Sequence, residues 1–302
     1  MDDSPVANSA CITETIGFVG AGVMAEAMIA GMLTRGTVGA GQILASHPRA
    51  DRRDLIEQRF QIRTVSANET VAAEADLVFL TVKPQALWEI MQSIAGTLRS
   101  DQVVVSIVAG ATIAVLEDGL AHRSIARVMP NTPAQIGEGM MVWTATPQVT
   151  ESQRLAIRHV LAALGEELFV DEEKYVDMAT ALSGTGPTYV FLMMEALIDA
   201  GVHMGFPRRI AEQIVLQTVS GSVDFARSSR KHMAELRNMV TSPGGTSAEA
   251  IYQMEKGGLR TVFSKAVYAA YQRTETLASE QAKRRPRNIG TETGTDVSPL
   301  AE

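Results

Sequence analysis

Short apolar runs alternate with segments of helical periodicity along the first half of the chain, from residue 15 to about residue 141. Each run is almost continuously apolar, which is typical of strands covered on both faces of a sheet. Strands that alternate with helices predict βαβ units and a parallel sheet, and right-handed crossovers then favour a doubly wound architecture. The runs predicted as strands are residues 16–19, 42–45, 61–65, 77–82, 103–107 and 124–129.

The second half of the chain has a different pattern, because helical periodicity dominates after about residue 151. The helices predicted there are residues 151–164, 174–182, 188–204, 208–226, 233–240, 247–256 and 259–278, with one extended piece at 167–170. The length of 302 residues suggests two domains. We therefore predict an α/β chain with an N-terminal Rossmann-like doubly wound sheet at residues 15–165. An all-helical domain is predicted at residues 166–280, with disordered tails at 1–14 and 281–302.

One predicted helix is apolar around most of its circumference. Within residues 189–204, Glu195 and Asp199 are the only acidic residues, and no Lys or Arg is present. A helix of this kind must be buried on most sides. In so small a domain this favours an intertwined homodimer, while the central helix of a monomeric bundle is the alternative.

The charge balance argues against several classes of partner. The 27 Lys and Arg against 34 Asp and Glu give a net charge of −7, so nucleic acid is not an expected partner. The uncharged run at residues 102–116 is shorter than the roughly 20 residues that span a membrane. Cys11 is the single cysteine, which excludes an intramolecular disulfide and a multi-thiolate metal site. With no secretory signal at the N-terminus, a cytoplasmic protein without a metal is expected.

A glycine-rich turn follows the first predicted strand. Residues 16–25 read Ile-Gly-Phe-Val-Gly-Ala-Gly-Val-Met-Ala, a G-x-G-x-x-A pattern that opens a helix. Gly20 permits a tight turn, Gly22 lets the backbone approach a pyrophosphate, and Ala25 allows close packing of helix on strand. The helix N-terminus would present free N–H groups to the phosphates. In its βαβ context this pattern favours a dinucleotide site over a chance glycine turn.

The end of the second predicted strand bears on the choice of cofactor. NAD sites carry an Asp or Glu about 20 residues after the glycines, bonded to the ribose 2′-hydroxyl. This chain instead has Ser46, His47 and Arg49 there, with Arg52 and Arg53 close behind. Two interpretations stand at this point: these side chains bind the 2′-phosphate of NADP(H), or the arginines form a solvated loop face.

Two further strand ends lie where an open α/β sheet binds its ligands, beyond the carboxyl ends of the strands. Lys83 and Pro84 follow the fourth run, and Val108 and Ala109 follow the fifth. Lys83 at this place either faces the cofactor or is an ordinary surface lysine. Small residues after the fifth strand would let a nicotinamide ring lie flat.

In the helical half, a Pro-Gly-Gly turn runs into Thr246 and Ser247 and then into a helix. Thr246 is the expected N-cap, with Glu249 three residues later completing a capping box. A well-capped helix is one interpretation. The other is an anion-binding nest, in which the N–H groups of Gly245, Thr246 and Ser247 converge on a carboxylate.

The order and spacing of these motifs resemble the pyrroline-5-carboxylate reductase family, from about residue 16 to residue 277. The resemblance is carried by residues 18–25, 82–84, 106–110, 127–133, 181–187, 201–208 and the loop at 240–251, whose Ser-Pro-Gly-Gly-Thr sequence is the most diagnostic. It implies a C-terminal all-α dimerisation domain, assembly as a homodimer or a ring of dimers, and NAD(P)H-dependent reduction of 1-pyrroline-5-carboxylate to L-proline, the last step of proline biosynthesis.

The resemblance also implies roles for particular residues. The cofactor, NADPH with NADH as the alternative, would contact Val19, Gly20, Ala21, Gly22, Val23, Met24, His47, Arg49, Asn68, Val82, Lys83, Pro84, Val108 and Ala109. The substrate would contact Gly244, Gly245, Thr246 and Ser247, with Ser247 catalytic. Asn68 lies one residue beyond the position where the family pattern is expected. Ser247 stands where the family typically has a threonine, and Asn238 where it has an acid.

The chemistry needs little acid–base machinery, since a protonated imine is already electrophilic and the hydride comes from the cofactor. This agrees with the lack of a credible pair of histidines or carboxylates.

Two other functions are compatible with a dinucleotide-binding chain of this kind. A β-hydroxyacid dehydrogenase would use a lysine of the helical domain, for which Lys174, Lys231, Lys256 and Lys265 are available. A non-catalytic nucleotide-sensing protein would need the glycine turn and no anion nest.

Overall fold

A computed structural model describes residues 12–284 of the chain. Eight strands form one sheet in the order β3-β2-β1-β4-β5-β6-β7-β8. The first six strands are parallel, in the order of a doubly wound dinucleotide-binding sheet, which confirms the predicted fold class. The strands are β1 (Ile16–Val19), β2 (Ile43–Ser46), β3 (Arg63–Val65), β4 (Leu77–Leu80), β5 (Val103–Ser106), β6 (Ile125–Met129), β7 (Gly139–Ala145) and β8 (Gly165–Phe169).

Helices cover both faces of the sheet and build the second half of the chain. The α-helices are α1 (Val23–Thr34), α2 (Ala50–Phe60), α3 (Asn68–Glu74), α4 (Leu87–Ile94), α5 (Ile113–Leu120), α6 (Glu151–Ala162), α7 (Lys174–Ala179), α8 (Gly186–His203), α9 (Arg208–Ser229), α10 (Met233–Met239), α11 (Thr246–Lys256) and α12 (Leu259–Lys283). A turn of π-helix, Thr180–Gly184, joins α7 to α8.

The sheet has an apolar layer on each face because its central strands are buried along their whole length. On one face Phe18 of β1 stacks on Phe79 of β4, with ring centroids 5.3 Å apart. On the other face Val78 and Leu80 pack with residues of α3, α4 and α5. The core therefore fixes the strand ends from which the predicted cofactor loops start.

The sheet extends further than predicted. Strand β7 was not predicted, and it runs antiparallel to β6. The extended piece expected at 167–170 is β8, which pairs with β7 and carries the sheet to Phe169, beyond the predicted end of the first domain at 165. Gly165 makes this pairing close, since a Cβ there would lie 2.1 Å from the Gly139 carbonyl oxygen. Helix α3 was also missed.

The helical half has little core of its own within the described chain. Helix α8 buries only Gly201, and α9 buries only Ala211, at the point where the two helices cross. Phe191 and Leu192 of α8 are 59% and 64% exposed. A large apolar surface is thus exposed on the single chain.

The ends of the described residues differ from the predicted tails. Ile12 is buried and its N–H donates to the Thr37 carbonyl oxygen, so the chain is packed before residue 15. Helix α12 continues to Lys283, three residues past the predicted boundary. The rest of the predicted tails, residues 1–11 and 285–302, lies outside the described residues.

Among residues 12–284, no helix is both long and apolar enough to cross a bilayer. Within the same residues, no cluster of three or more His, Cys, Asp or Glu side chains could hold a metal ion.

Candidate cofactor and substrate sites

The glycine turn between β1 and α1 has the geometry that a pyrophosphate site needs. Gly20 adopts a φ of +100°, and a Cβ there would lie 2.7 Å from Val82 Cγ1. Gly22 is different, because a Cβ on it would meet no atom closer than the Thr81 carbonyl oxygen at 3.9 Å. Only Gly20 is required by the protein's own packing, whereas the space beside Gly22 is open for a ligand.

The backbone N–H groups of this turn divide into two sets. Those of Gly20 and Ala21 donate to the Ser46 carbonyl oxygen, at 3.2 and 2.9 Å. Those of Gly22, Val23 and Met24 have no acceptor within the described part of the chain. Three donors at the positive end of a 12-residue helix can bind phosphate oxygens, so the turn fits a dinucleotide.

Two side chains that the sequence did not identify as structural hold this turn in place. Arg52 donates from Nε to the Ala21 carbonyl oxygen at 2.8 Å and forms an ion pair with Glu26 of α1. Thr81, directly after β4, donates its hydroxyl to the Gly20 carbonyl oxygen at 2.6 Å. Arg52 therefore orients the turn. Its guanidinium is already engaged, so it is not a free ligand for the 2′-phosphate, which was one of the two interpretations that the sequence allowed.

Ser46 and Arg53 also make hydrogen bonds within the protein that hold neighbouring segments in place. Ser46 is fully buried and donates its hydroxyl to Asn68 Oδ1 at 2.7 Å. Arg53 donates from one terminal nitrogen to the carbonyl oxygens of His47 and Pro48, at 2.8 and 3.0 Å. The first contact places Asn68 beside the end of β2, and the second fixes the loop that carries His47.

On this loop Arg49 is exposed and His47 is half-buried. Burial, together with the nearby positive charges of Arg52 and Arg49, lowers the pKa of His47 below its ordinary value. The Arg49 guanidinium is exposed and forms a forked ion pair with Asp51, which lowers the pKa of that carboxyl group. Both side chains are accessible to a ligand at the end of β2, although Asp51 competes for Arg49.

The other two predicted loops lie at the ends of β4 and β5. Lys83 is exposed and forms no ion pair among the described residues, and Pro84 begins a 3₁₀ turn. Val108 is buried and Ala109 is half-buried, so Val108 can offer a ligand only its backbone. Because β4 and β5 are parallel neighbours, these loops lie at the same edge of the sheet as the glycine turn.

The Pro-Gly-Gly segment is a tight turn that ends at a helix. The Gly245 N–H donates to the Ser242 carbonyl oxygen at 3.0 Å across Pro243 and Gly244. Gly244 has a φ of +68°, as the third residue of a type II turn requires. The turn places Gly245 in an extended conformation as the N-cap of α11.

The predicted capping box is wrong, because the helix starts one residue earlier than expected. Thr246 is already helical, and Glu249 accepts a hydrogen bond from Gln253 instead of closing back on the N-cap. The nest is also narrower than predicted, since the Gly245 N–H is used inside the turn. The N–H groups of Thr246 and Ser247, and both hydroxyl groups, have no partner among the described residues.

The cofactor loops and this turn are not joined within the described chain by any hydrogen bond. Two surface grooves, of about 530 and 500 Å³, lie instead on apolar parts of the helical half. Residues that line them include Leu182, Phe191 and Phe263.

Comparison with known proteins identifies the family. The dimerisation-domain model of pyrroline-5-carboxylate reductases matches residues 173–277, and a model described as NADP oxidoreductase coenzyme F420-dependent matches residues 15–110. A pyrroline-5-carboxylate reductase of Pseudomonas aeruginosa is 42% identical over 269 residues, covering 89% of this chain and 98% of the relative. The chain belongs to the pyrroline-5-carboxylate reductase family. A relative from Synechocystis is 37% identical and covers 88% of this chain and 98% of its own length.

Solved structures of the family share the whole architecture. The Coxiella burnetii reductase superposes with a TM-score of 0.82 at 33% identity, covering 88% of this chain and 99% of that one. The Plasmodium falciparum enzyme, solved with NADP bound, has a TM-score of 0.81 at 30% identity and covers 88% of this chain and 98% of its own. The match to the family's dimerisation domain identifies the apolar helical half as an oligomerising one.

Proposed function

We propose that this chain catalyses the reduction of 1-pyrroline-5-carboxylate to L-proline by NADPH, the last step of proline biosynthesis, with NADH as the alternative donor. The observation that carries the proposal is the turn at Gly244–Gly245, which leaves the Thr246 and Ser247 N–H groups and the Ser247 hydroxyl unpartnered at a helix N-terminus. A small carboxylic acid with a ring nitrogen fits that donor set.

The cofactor would be held at the ends of β1, β2, β4 and β5. The Gly22, Val23 and Met24 N–H groups would bind the pyrophosphate. His47 and Arg49 would bind the 2′-phosphate, which agrees with the NADP in the Plasmodium falciparum structure. The bound cofactor supplies the hydride. The remaining contacts are those of Val19, Gly20, Ala21, Asn68, Val82, Lys83, Pro84, Val108 and Ala109.

The chain itself contributes binding and orientation. The Thr246 and Ser247 N–H groups would hold the substrate carboxylate, and the Ser247 hydroxyl would hydrogen-bond the ring nitrogen. Holding two reactants in the reactive geometry can lower a barrier by up to roughly 7–11 kcal/mol. No strong base is needed, because the protonated imine accepts hydride directly.

Assembly and location extend the proposal. We expect a cytoplasmic enzyme that is a homodimer or a ring of dimers, with the exposed faces of α8 and its neighbours in the interface. The exposed Phe191 and Leu192 support this arrangement.

Replacing Ser247 by Ala tests the assignment. The substitution removes one hydroxyl and leaves the turn and the backbone donors in place, so we expect kcat to fall about 10- to 100-fold with the Kd of NADPH within twofold of wild type. The measurement is NADPH oxidation at 340 nm, started with pyrroline-5-carboxylate. Ser242→Ala in the same exposed turn is the matched control, since the Ser242 side chain makes no hydrogen bond within the described chain.

The outcomes separate the alternatives. Unchanged turnover in Ser247→Ala would remove Ser247 from the mechanism. Wild-type protein that binds NADPH and reduces no imine would favour the nucleotide-sensing alternative, whereas activity on a hydroxyacid alone would favour the dehydrogenase. Lys174 is a poor acid–base candidate for that reaction, because it is exposed and paired with Glu172 at 2.6 Å.

A further inference from the structure

The C-terminal end of α12 leaves the helical half and packs on the cofactor-binding domain. Gln281, two residues before the last residue of this helix, is only 3% exposed. Its side-chain Nε2 donates to the Pro84 carbonyl oxygen at 2.9 Å. Its own carbonyl oxygen accepts a hydrogen bond from the Trp88 indole N–H at 2.8 Å. Gln281 is thereby tied to both ends of the segment that follows β4.

The same helix end also contacts the loop after β5. Gly110 has a φ of +75°, and a Cβ there would lie 3.0 to 3.2 Å from atoms of Leu277, one turn before Gln281. The two contacted loops include Val82–Pro84 and Val108–Ala109. One helix end therefore fixes the relative position of two loops that start from neighbouring parallel strands.

A glutamine at position 281 costs some stability, because burying its side-chain oxygen has a free-energy penalty that an apolar side chain would avoid. Gln281 Oε1 is buried and has no hydrogen-bond partner within the described residues. An unsatisfied buried acceptor lowers the free energy of unfolding. The glutamine thus contributes an anchor for the Pro84 loop and not simply a well-packed surface. It also lies beyond the 173–277 segment that matches the family's dimerisation domain.

The position of these loops decides which part of a dinucleotide they would affect. The pyrophosphate site is at the N-terminus of α1, and the 2′-phosphate site is at the end of β2. A dinucleotide that spans the crevice then places its nicotinamide half over the ends of β4 and β5. The adenosine half would then lie on the opposite side of β1, away from Gln281.

We propose that Gln281 is a positioning residue for the nicotinamide half of the cofactor, acting through the Pro84 carbonyl group. The proposal rests on the cofactor assignment given under the proposed function. Without the Gln281 anchor the loop at Val82–Pro84 would move, and the nicotinamide ring would lose a fixed wall. The adenosine half would be bound as before.

The test compares two ligands on one variant. Gln281→Met keeps the side-chain length, removes the donor to Pro84 and removes the unsatisfied acceptor. We expect the Kd of NADPH to rise about tenfold, which corresponds to about 1.4 kcal/mol. The Kd of 2′,5′-ADP, which has only the adenosine half, should stay within twofold. Both constants come from titration calorimetry. Ser279→Ala is the matched control, because it changes an exposed residue of the same helix turn.

A second variant guards against misfolding at position 281. Trp88→Phe removes the indole donor to Gln281 and keeps an aromatic ring, so we expect a smaller rise in the Kd of NADPH alone. Equal weakening of both ligands in Gln281→Met would show a general structural defect and overturn the proposal. NADPH binding unchanged within twofold would overturn it as well. Wild-type protein that fails to bind 2′,5′-ADP would instead refute the cofactor assignment.

Discussion

An alanine substitution at each of the two glycines of the cofactor turn should affect a different property: the stability of the fold at Gly20, and the affinity for the cofactor at Gly22. At Gly20 the backbone φ of +100° is strained for alanine, and the new Cβ would lie 2.7 Å from Val82 Cγ1 and 3.2 Å from the Thr81 carbonyl oxygen. Such backbone strain costs about 1–3 kcal/mol before any clash is counted. We therefore expect Gly20→Ala to lower the free energy of unfolding by about 2 kcal/mol or more.

Gly22→Ala should leave the fold nearly intact and weaken binding. Gly22 has φ −79° and ψ −171°, which alanine adopts freely, and no protein atom lies within 3.9 Å of the new Cβ. The only expected penalty is the poorer N-cap, at about 0.5–1 kcal/mol. The methyl would stand between the α1 N-terminus and the pyrophosphate, so the Kd of NADPH should rise at least about tenfold.

Thermal unfolding and calorimetry separate the two effects. At about 2–4 °C per kcal/mol, Gly20→Ala should lower Tm by about 4–8 °C and Gly22→Ala by less than about 4 °C, at one fixed protein concentration. Gly96→Ala is the control, since an alanine Cβ there meets nothing within 4 Å and the site is remote from the crevice. Gly22→Ala with wild-type affinity for NADPH would refute the argument that Gly22 makes room for a pyrophosphate.

Two further predictions concern cofactor choice and assembly. Asp51→Asn releases Arg49 from its exposed ion pair, so the affinity for NADPH should rise by up to about fivefold. The affinity for NADH should stay constant. Equal gains for both cofactors would contradict a contact between Arg49 and the 2′-phosphate. Leu192→Asp puts a charge on the exposed apolar face of α8, and because a two-fold interface repeats it, the dimer dissociation constant should rise at least about a hundredfold. Light scattering after size exclusion measures this, and an unchanged mass at micromolar concentration would place Leu192 outside the interface.

The elements predicted well are those with a strong local signal. The buried parallel strands β1, β4 and β5 read as continuous apolar runs because helices cover both of their faces. Helix α5 was predicted residue for residue, since Thr112 caps it and its apolar positions follow the helical period. Helix α3 escaped because a seven-residue helix that buries only Val71 and Ala72 has too few turns to show a period.

Strand β7 was not predicted, for a different reason. Its segment at residues 140–143 is apolar enough to have been read as a strand, but it follows a 3₁₀ turn that contains Pro133, and it returns antiparallel to β6. A reading based on repeated βαβ units does not anticipate a strand that returns without a crossover helix.

The different roles of Arg49, Arg52 and Arg53 could not be predicted from the sequence. Arg49, Arg52 and Arg53 stand within five residues of one another and are chemically equivalent in a linear reading. The fold separates them: one remains exposed, one holds the glycine turn through the Ala21 carbonyl oxygen, and one holds the His47 loop. Which carbonyl groups come within reach of a guanidinium depends on strand pairing, and that information is not local.

The lengths of the last two helices separate the proposed substrate turn from the proposed cofactor loops of the same chain. Helix α11, with the substrate turn at its N-terminus, is about 15 Å long, whereas the stretch of α12 from Leu259 to Gln281 is about 33 Å long. A tight turn at Gly257 and Gly258 joins them, so even an α11 folded back along α12 ends more than about 10 Å short of Gln281 and the cofactor loop it holds. Packing within one chain therefore leaves the donor set of Ser247 away from its own Pro84 loop. Association through the apolar faces of the helical half is the step that we expect to complete the pocket, and Leu192→Asp should accordingly lose turnover while it still binds NADPH.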